Sequence, residues 1–264
     1  MATGATDKRG SSLLLAWDGS HLQWLRCQHL TVFQIETIST VGPNGLREAL
    51  MELKTALVGV DHVCYASDLP YFSMAPSRVV SGREKALQAM HLGPSSAPPV
   101  SFYSEAFGEE ISLIEQDDAR LKDEVESLWP VAKRASMALT FLEWVMREIR
   151  TQSSLCCVAI HVGHERALMS LFAGGELMWS MTTDDLAGDG ILYHVVNGLT
   201  RQGYSDKAEI EVWFTGRVQE EGELMQGFRR FFNRVELKVP EVEWKDVPEA
   251  PQEWATLTRL MPCG

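Results

Sequence analysis

The sequence predicts an α/β protein with mixed sheets, built from two copies of one β-β-β-α-β unit. Each half of the chain begins with three short apolar segments that have the composition of strands. In each half, a segment with helical periodicity and one further strand follow these three. The 264 residues are enough for two lobes with separate cores. The repeated order of elements therefore favours a duplicated fold.

The first copy begins with LLLAWDGS at 13–20, an apolar strand that ends at an Asp-Gly turn. HLQWLRC (21–27) and LTVFQIETI (30–38) follow as strands. Asn44 is placed to cap a helix, and HVCYAS (62–67) returns as a strand. The apolar positions of that helix share one face: Leu46, Ala49, Leu50, Leu53 and Leu57.

The second copy repeats this order. LCCVAIHV (155–162), RALMSLF (166–172) and ELMWSM (176–181) are predicted strands, and Gly174-Gly175 suits a hairpin turn between the last two. AEIEVWFTG (208–216) and VELKV (235–239) are the later strands. A helix capped by Thr183, Asp184 or Asp185 lies between 181 and 208, and a second helix lies before VELKV.

The region between the copies carries two further strands, at 100–106 and 110–116, and two helices. The second of these helices, through MALTFLEWVMREI (137–149), is apolar nearly all round, so we expect it to be buried. We divide the chain into a disordered lead-in (1–11), a first lobe with the inserted elements (12–152), and a second lobe with a C-terminal tail (153–264).

Composition and charge narrow the classes of function. The net charge is −12 at pH 7, which disfavours nucleic-acid binding because a phosphate backbone requires a concentrated basic surface. The longest apolar runs are far shorter than the ~20 residues of a membrane helix, so we predict no membrane insertion. Five cysteines without a C-x-x-C pair favour a reducing, cytoplasmic location.

Several short motifs form a recognisable set: IHV at 160–162, the Gly-Gly hairpin, ILYHVVNGL at 191–199, FTGRV at 214–218, LTRLMPC at 257–263 and the opening LLLAWDGSHLQWLRC. With these motifs the chain resembles a bacterial family, domain of unknown function 3822, whose known members have an actin-like ATPase fold. The likeness spans nearly the whole chain and implies a duplicated RNase H-like, actin/Hsp70-type two-lobe architecture. The biochemical role of that family is undefined.

Active members of the wider actin-like group hold ATP between two hairpins and an adenosine-side loop. The resemblance places Asp18-Gly19-Ser20 at the first hairpin, one residue shorter than the usual Asp-x-Gly-Ser/Thr. There the carboxylate would organise Mg²⁺ through water, and Gly19 and Ser20 would meet phosphate. The alternative is a turn without a ligand, which we favour because Gly accepts positive φ and Asp and Ser bond their own backbone.

The second hairpin has His161 where active relatives carry a carboxylate, and Gly163 follows it. Imidazole can act as a general base near neutral pH, but a hard cation such as Mg²⁺ prefers oxygen ligands. A hydrogen-bonded structural histidine is therefore the favoured interpretation. His161 and His164 face different sides of a strand end, so we predict no metal site.

The adenosine-side loop corresponds to Thr215-Gly216-Arg217, with one glycine and a bulky arginine instead of paired glycines. All three loops are thus present as turns, but each departs from the residue pattern that binds nucleotide in active relatives. An open cleft floored by turn amides would favour nucleotide binding. A cleft filled by Trp17, Trp24 or Arg217 would exclude it.

Two functional hypotheses stay open. The favoured one is a non-catalytic scaffold that binds a protein partner or itself, supported by the degraded loops, eight tryptophans and apolar segments at 70–74 and 244–254. The alternative is an ATP-binding switch, ATPase or phosphotransferase that uses ATP and Mg²⁺, with Asp18 and His161 as catalytic candidates. Its cofactor-binding candidates are Gly19, Ser20, Gly163, Thr215 and Gly216. An assembly factor for RNA enzymes is a weaker third possibility, which the acidic charge disfavours.

Overall fold

The computed structural model describes residues 10–84, 87, 99–107, 110–116, 119–152, 156–204 and 209–261. Most of the predicted disordered lead-in (1–11) lies outside the described residues. Within them, no helix is long and apolar enough to cross a membrane.

The described strands, numbered in chain order, are β1 Ser11–Trp17, β2 His21–Gln28, β3 Thr31–Ser39, β4 Val60–Ser67, β5 Phe72–Pro76, β6 Val100–Ser104, β7 Ile111–Glu115, β8 Lys133–Arg134, β9 Cys156–Val162, β10 Ala167–Ala173, β11 Glu176–Thr183, β12 Glu211–Gly216, β13 Arg234–Leu237 and β14 Glu243–Trp244. The described helices are α1 Gly45–Ala56, α2 Ser77–Val80, α3 Ala119–Leu128, α4 Met137–Gln152, α5 Gly188–Arg201, α6 Glu223–Arg229 and α7 Ala255–Thr258, with a 3₁₀ helix at Pro251–Trp254.

Two sheets share one topology, which confirms the predicted duplication. In the first sheet, with strand order β14-β3-β2-β1-β4-β8, β1 and β2 are antiparallel and β1 and β4 are parallel. In the second sheet, with order β11-β10-β9-β12-β13, β9 and β10 are antiparallel and β9 and β12 are parallel. The central strands β1 and β9 are buried on both faces, which explains their nearly continuous apolar sequences.

Helix α4 and a third, three-stranded sheet fill the space beside the second sheet. The third sheet has the order β5-β7-β6, and the sequence had indicated only β6 and β7. Helix α4 packs its apolar side chains, among them Phe141 and Val145, against Ala159 of β9, Leu168 of β10 and Leu113 of β7. The expectation that this helix is buried is confirmed.

The C-terminal tail returns to the first sheet. Strand β14 pairs in parallel with β3, and Leu257 and Met261 pack beneath Leu14 of β1. From the same short helix, Thr256 lies within 3.2 Å of Nδ1 of His161 on β9. Helix α7 therefore contacts both large sheets. The boundary between the two lobes at residue 152 stays a prediction.

The predicted helix caps are confirmed only in part. Asn44 occupies the N-cap position of α1, but its side chain makes no hydrogen bond to the helix. Helix α5 begins later than predicted, at Gly188, and Ala187 precedes it. Two successive side-chain turns occupy the intervening residues: Thr183 Oγ1 accepts from the Asp185 N–H (3.1 Å), and Asp185 Oδ1 accepts from the Ala187 N–H (3.2 Å). Thr and Asp favour such turns as readily as caps.

We predict that Leu257→Ala destabilises the whole chain, because this side chain is 1% exposed and packs beneath the first sheet. The expected cost is about 2–5 kcal/mol in the free energy of unfolding, measured by urea titration. The matched control is Val247→Ala in the same tail, where the side chain is 72% exposed and the expected change is about 0.5 kcal/mol or less. Equal effects of the two substitutions would contradict the proposed packing of the tail.

Candidate functional site

Two hairpin turns from the two large sheets face each other. The first turn, Asp18–Ser20, joins β1 to β2, and the second turn, residues 163–166, joins β9 to β10. The ring of His21, at the start of β2, stacks on the ring of His164 in the second turn, with centroids 4.2 Å apart and an interplanar angle of 17°. Ser20 Oγ also lies 3.4 Å from Glu165 Oε1. We call this set of interactions the turn contact.

Asp18 organises the first turn through its own carboxylate. Its Oδ1 accepts hydrogen bonds from the backbone N–H of Ser20 (2.7 Å) and of His21 (2.6 Å), and from Ser20 Oγ (3.0 Å). Gly19 adopts φ +109°, a left-handed conformation that favours glycine. Two amides and the hydroxyl of this turn are therefore used internally.

Arg217 lies against the second turn. It follows Gly216 at the end of β12, its backbone N–H donates to Val162 O (2.7 Å), and its Nη1 lies 2.6 Å from Nε2 of His164. Burial and the adjacent guanidinium lower the pKa of His164 to about 4. The neutral imidazole of His164 is thus held between His21 and Arg217.

Asp68 lies next to the turn contact, near Asp18 and the backbone of His164. It follows β4, is half-buried, and its backbone N–H donates to Trp17 O (2.8 Å). Burial raises the pKa of Asp68 to about 7, and the nearby carboxylate of Asp18 contributes to the rise, while Arg166 and the backbone N–H of His164 oppose it. Two carboxyl groups therefore share the region behind the stacked rings.

His161 lies in the interior instead of with Asp18. It is 3% exposed, and its Nδ1 lies 2.8 Å from Thr215 Oγ1 and 3.2 Å from Thr256 Oγ1. The Phe141 ring lies 5.7 Å away. Burial lowers the pKa of His161 to about 4, so the imidazole is neutral near pH 7. Thr215, 1% exposed, is engaged by the same histidine.

Two of the candidate nucleotide-loop glycines, Gly163 and Gly216, are required by packing within the protein. A Cβ on Gly216, at φ +85°, would lie 2.1 Å from Val162 O. A Cβ on Gly163 would lie 2.9 Å from Asp68 Oδ2 and 3.2 Å from Arg166 O. Both positions thus have a structural reason to be glycine that involves no ligand.

Of the three side chains that we named as possible obstructions, one lies at the turn contact. Arg217 lies there, against His164. Trp17 and Trp24 belong to the core of the first sheet, and Trp17 Nε1 donates to Thr40 Oγ1 (2.9 Å).

Asp18, His21 and His164 form the one group of potential metal ligands found among the described residues, with ligand atoms within 4.8 Å of one another. Asp18 Oδ2 lies 3.3 Å from Nδ1 of His21 and 3.9 Å from Nδ1 of His164. Imidazole nitrogens bind metals in the plane of the ring, and two nearly parallel stacked rings cannot both direct their lone pairs at one ion. The guanidinium of Arg217 would also repel a cation. As arranged, this group does not fit a metal.

The sequence offered weak signals for this arrangement. His21 directly follows the Asp-Gly-Ser turn, and His164 lies at the tip of the second hairpin. Neither position showed that the two rings meet, because they come from different halves of the chain. Asp68, which directly follows β4, was not singled out.

Solved structures with the same fold support the architecture. A Bacteroides thetaiotaomicron protein with an actin-like ATPase fold and unknown function superposes with a TM-score of 0.72 at 13% identity, covering 90% of this chain and 94% of that one. A chain of the PilM–PilN type IV pilus biogenesis complex gives 0.65 at 12% identity, covering 96% and 98%. The AlfA filament from Bacillus subtilis plasmid pLS32 gives 0.50 at 9% identity, covering 96% and 99%.

The chain therefore has the actin-like ATPase fold. At these identities the likeness shows the fold alone. No protein-family model matches the chain, and no curated protein matches it in sequence. Membership of the family known as domain of unknown function 3822 stays a prediction.

We predict that His161→Asn reduces acid destabilisation. The folded-state pKa of about 4 lies below the ordinary histidine value of 6.5, so the unfolded chain gains a proton first as the pH falls. The contribution of His161 to stability is thus complete above pH 6.5 and is lost towards pH 4, up to about 3 kcal/mol. The free energy of unfolding should vary less over this range in the variant.

Variant and wild type are compared at each pH, because Asp68 has the opposite effect: its pKa is raised from the ordinary 3.8 to about 7, so it adds stability as the pH falls through this range. The matched control is His62→Asn on the exposed side of β4, which should keep the wild-type slope. An unchanged slope in the His161 variant would show that this imidazole is protonated or hydrated in the folded chain.

Proposed function

We propose that this chain is a protein-binding member of the actin-like fold group that does not use its inter-lobe turns to bind nucleotide. One observation carries the proposal: His21 and His164 stack at 4.2 Å, where the resemblance places the phosphates. Rings at this separation leave no space for a phosphate group between them.

The surrounding contacts support the same proposal. The Asp18 carboxylate accepts the amide hydrogens of the first turn, so they are not available to a phosphate. Arg217 belongs to the loop that the resemblance places at the adenosine side, and its guanidinium lies against the second turn. His161, the alternative catalytic candidate, is neutral and enclosed by Thr215 and Thr256. With 3% of its surface exposed, this imidazole has no access to a phosphate or to an attacking water in this arrangement.

The structural neighbours support an interaction role by analogy. One of them is part of the PilM–PilN complex and another forms the AlfA filament, so this fold serves both partner binding and self-association in other proteins. We extend this to the present chain as a pseudo-ATPase scaffold with a protein partner. Bacterial origin, membership of the family of unknown function 3822 and a cytoplasmic location belong to the same proposal. The described thiols, at Cys27, Cys64, Cys156 and Cys157, are unpaired, as expected in a reducing compartment.

The second candidate function is an ATP-binding switch. It is favoured by the retained Asp18, whose Oδ2 faces side chains and not backbone amides. The turn contact consists of side chains, so a movement of the lobes that separates His21 from His164 would expose the first turn. In that case Asp18 and Mg²⁺ would act together, with Gly19, Ser20, Gly163 and Gly216 near the nucleotide.

We predict that Mg-ATP and Mg-ADP produce no saturable rise in the melting temperature of the wild-type chain. A nucleotide present at one hundred times its Kd would add about 2.7 kcal/mol of stability, which a thermal-shift titration detects readily. A nucleotide-binding actin-like protein, titrated in parallel, serves as the positive control.

The decisive variant is Asp18→Asn, since Asp18 is the residue that both interpretations use. A saturable rise in the wild type that this substitution abolishes would overturn the proposal and establish the switch. A rise that Asp18→Asn leaves unchanged would place the nucleotide elsewhere on the surface and leave the closed turns as proposed.

A further inference from the structure

A groove lies between the third sheet and the second sheet. It has a volume of about 720 Å³ and is lined along one side by β5, Phe72–Pro76, and along the other by Glu176–Ser180 of β11. Among the residues that the structure describes, both strands lie at the edge of their sheets. We call this feature the edge groove. It lies apart from the turn contact, and no residue of the two turns lines it.

The register of β5 shows which backbone groups face the edge groove. Gln116 N–H donates to Tyr71 O and Ser77 N–H donates to Glu110 O, so odd-numbered residues of this strand bond to β7. In an antiparallel pair the intervening residues direct their N–H and C=O away from the partner. The backbones of Phe72 and Met74 therefore point away from β7.

The register of β11 gives the same result on the opposite side. Gly163 N–H donates to Arg166 O. Backbone bonds to the two neighbouring strands alternate along β10, so its even-numbered residues bond to β9. Its odd-numbered residues, among them Met169 and Leu171, bond to β11. Their partners are Met181 and Trp179. The intervening Ser180 thus directs its N–H and C=O away from β10.

An unpaired strand edge is a template for another strand. Neighbouring strands lie about 4.8 Å apart, so one extended segment placed in the groove can bond to either edge. β5 has five residues, and a segment of that length is about 17 Å long. Main-chain bonds to an edge, with side-chain pockets beside it, are the interactions by which strand addition binds peptides.

The side chains around the edge groove favour a partly apolar occupant. Phe72, Met74 and Phe107 are partly buried against the core of α4, and Trp179 is partly buried against the core of the second sheet. Met178 is 38% exposed. Successive residues of a strand point to opposite faces, so an occupant with apolar residues at alternate positions matches this lining.

Charge defines the occupant further. Glu176 lines the groove, and none of its described lining residues is Lys or Arg. Beyond the lining, Tyr71 Oη donates to Asp184 Oδ2 (3.3 Å) and the Arg166 guanidinium lies 4.3 Å from the centre of the Tyr71 ring, so Glu176 supplies the charge that faces the groove itself. The whole chain has a net charge of −12. A segment that carries Lys or Arg beside its apolar residues is therefore complementary.

We propose that the edge groove binds an extended segment of a partner protein, apolar at alternate positions and basic, as an added β-strand on β5 or β11. This inference rests on the proposed protein-binding function and names the surface that performs it. The turn contact does not take part in the binding.

The test is selection from a phage-displayed library of random short peptides on the immobilised full chain. Enriched peptides are synthesised, labelled and titrated by fluorescence anisotropy against the wild type and Met74→Pro. Proline removes the outward N–H of Met74 and projects its ring into the groove, while the bonds from β5 to β7 are kept. The expected result is enrichment of alternating apolar and basic sequences whose affinity for the variant falls about tenfold or more.

The matched control is Tyr103→Pro. By the same register argument, Tyr103 directs its backbone away from β7 on the opposite edge of the same sheet, and its side chain is 59% exposed. This variant should bind like the wild type. Melting temperatures of both variants are measured first. If Met74→Pro is unfolded, Glu176→Lys, an exposed substitution, takes its place and should weaken the binding of basic peptides.

Three results would overturn the inference. Peptides that bind both proline variants equally would place partner binding on another surface and leave the proposed function intact. An absence of any enriched peptide would remove the groove as a peptide site. Wild-type dimers, seen by sedimentation and absent in Met74→Pro, would show that a second copy of the chain is the occupant. Nucleotide titration tests the proposed function separately.

Discussion

The contact between the two hairpin turns is the interaction on which the rest of the interpretation depends. Each large sheet carries its first hairpin at the end of its central strand, so duplication of the unit brings the two turns together. In the actin-like ATPases this position holds nucleotide phosphates. Here two imidazole rings stack across it, with Asp18 on one side and Arg217 on the other. In the function that we propose, this cluster of mutually contacting polar side chains takes the place of a ligand site.

Contacts around His161 also link the two large sheets. Thr256 of the C-terminal tail and Thr215 of β12 both bond to His161, so the tail is tied to the second sheet while Leu257 packs beneath the first. Burial disfavours the charged form of this imidazole, so His161 stays neutral and hydrogen-bonded. His161 is thus part of the packing that joins the C-terminal tail to the second sheet.

The strands could be predicted because their signals are local. β1 and β9 are continuous apolar segments that end in turn residues, and the Gly174-Gly175 hairpin follows from the conformational freedom of glycine. Strand β5 was missed because it is only five residues long and ends in Pro76, and because its pairing with β7 is a tertiary contact. The capping bond of Asn44 and the cap of α5 were wrongly predicted because Asn, Thr and Asp bond nearby backbone in several geometries of similar free energy.

The functional site was only partly predictable for the same reason. From the sequence we predicted that three nucleotide loops lack their usual binding residues, and we named Asp18 and Arg217. The sequence did not show that His21 would meet His164, because no local pattern specifies a contact between two lobes. The glycines have a second explanation: Gly163 and Gly216 match a ligand loop by position, and their lack of a side chain is also needed for contacts with Asp68 and Val162.

The turn contact also affects the geometry of the edge groove. Arg166, two residues after His164, donates to Leu69 O (3.4 Å), and its guanidinium lies 4.3 Å from the centre of the Tyr71 ring, so the second turn holds the segment that leads into β5. Tyr71 in turn bonds to Asp184 beyond the end of β11. The spacing of the two strand edges is therefore set by residues next to the stacked rings. A fold that opens and closes on a nucleotide would vary this spacing, whereas turns locked by side chains keep the edges fixed. Fixed edges are pre-organised for an added strand, because less conformational entropy is lost when the strand binds.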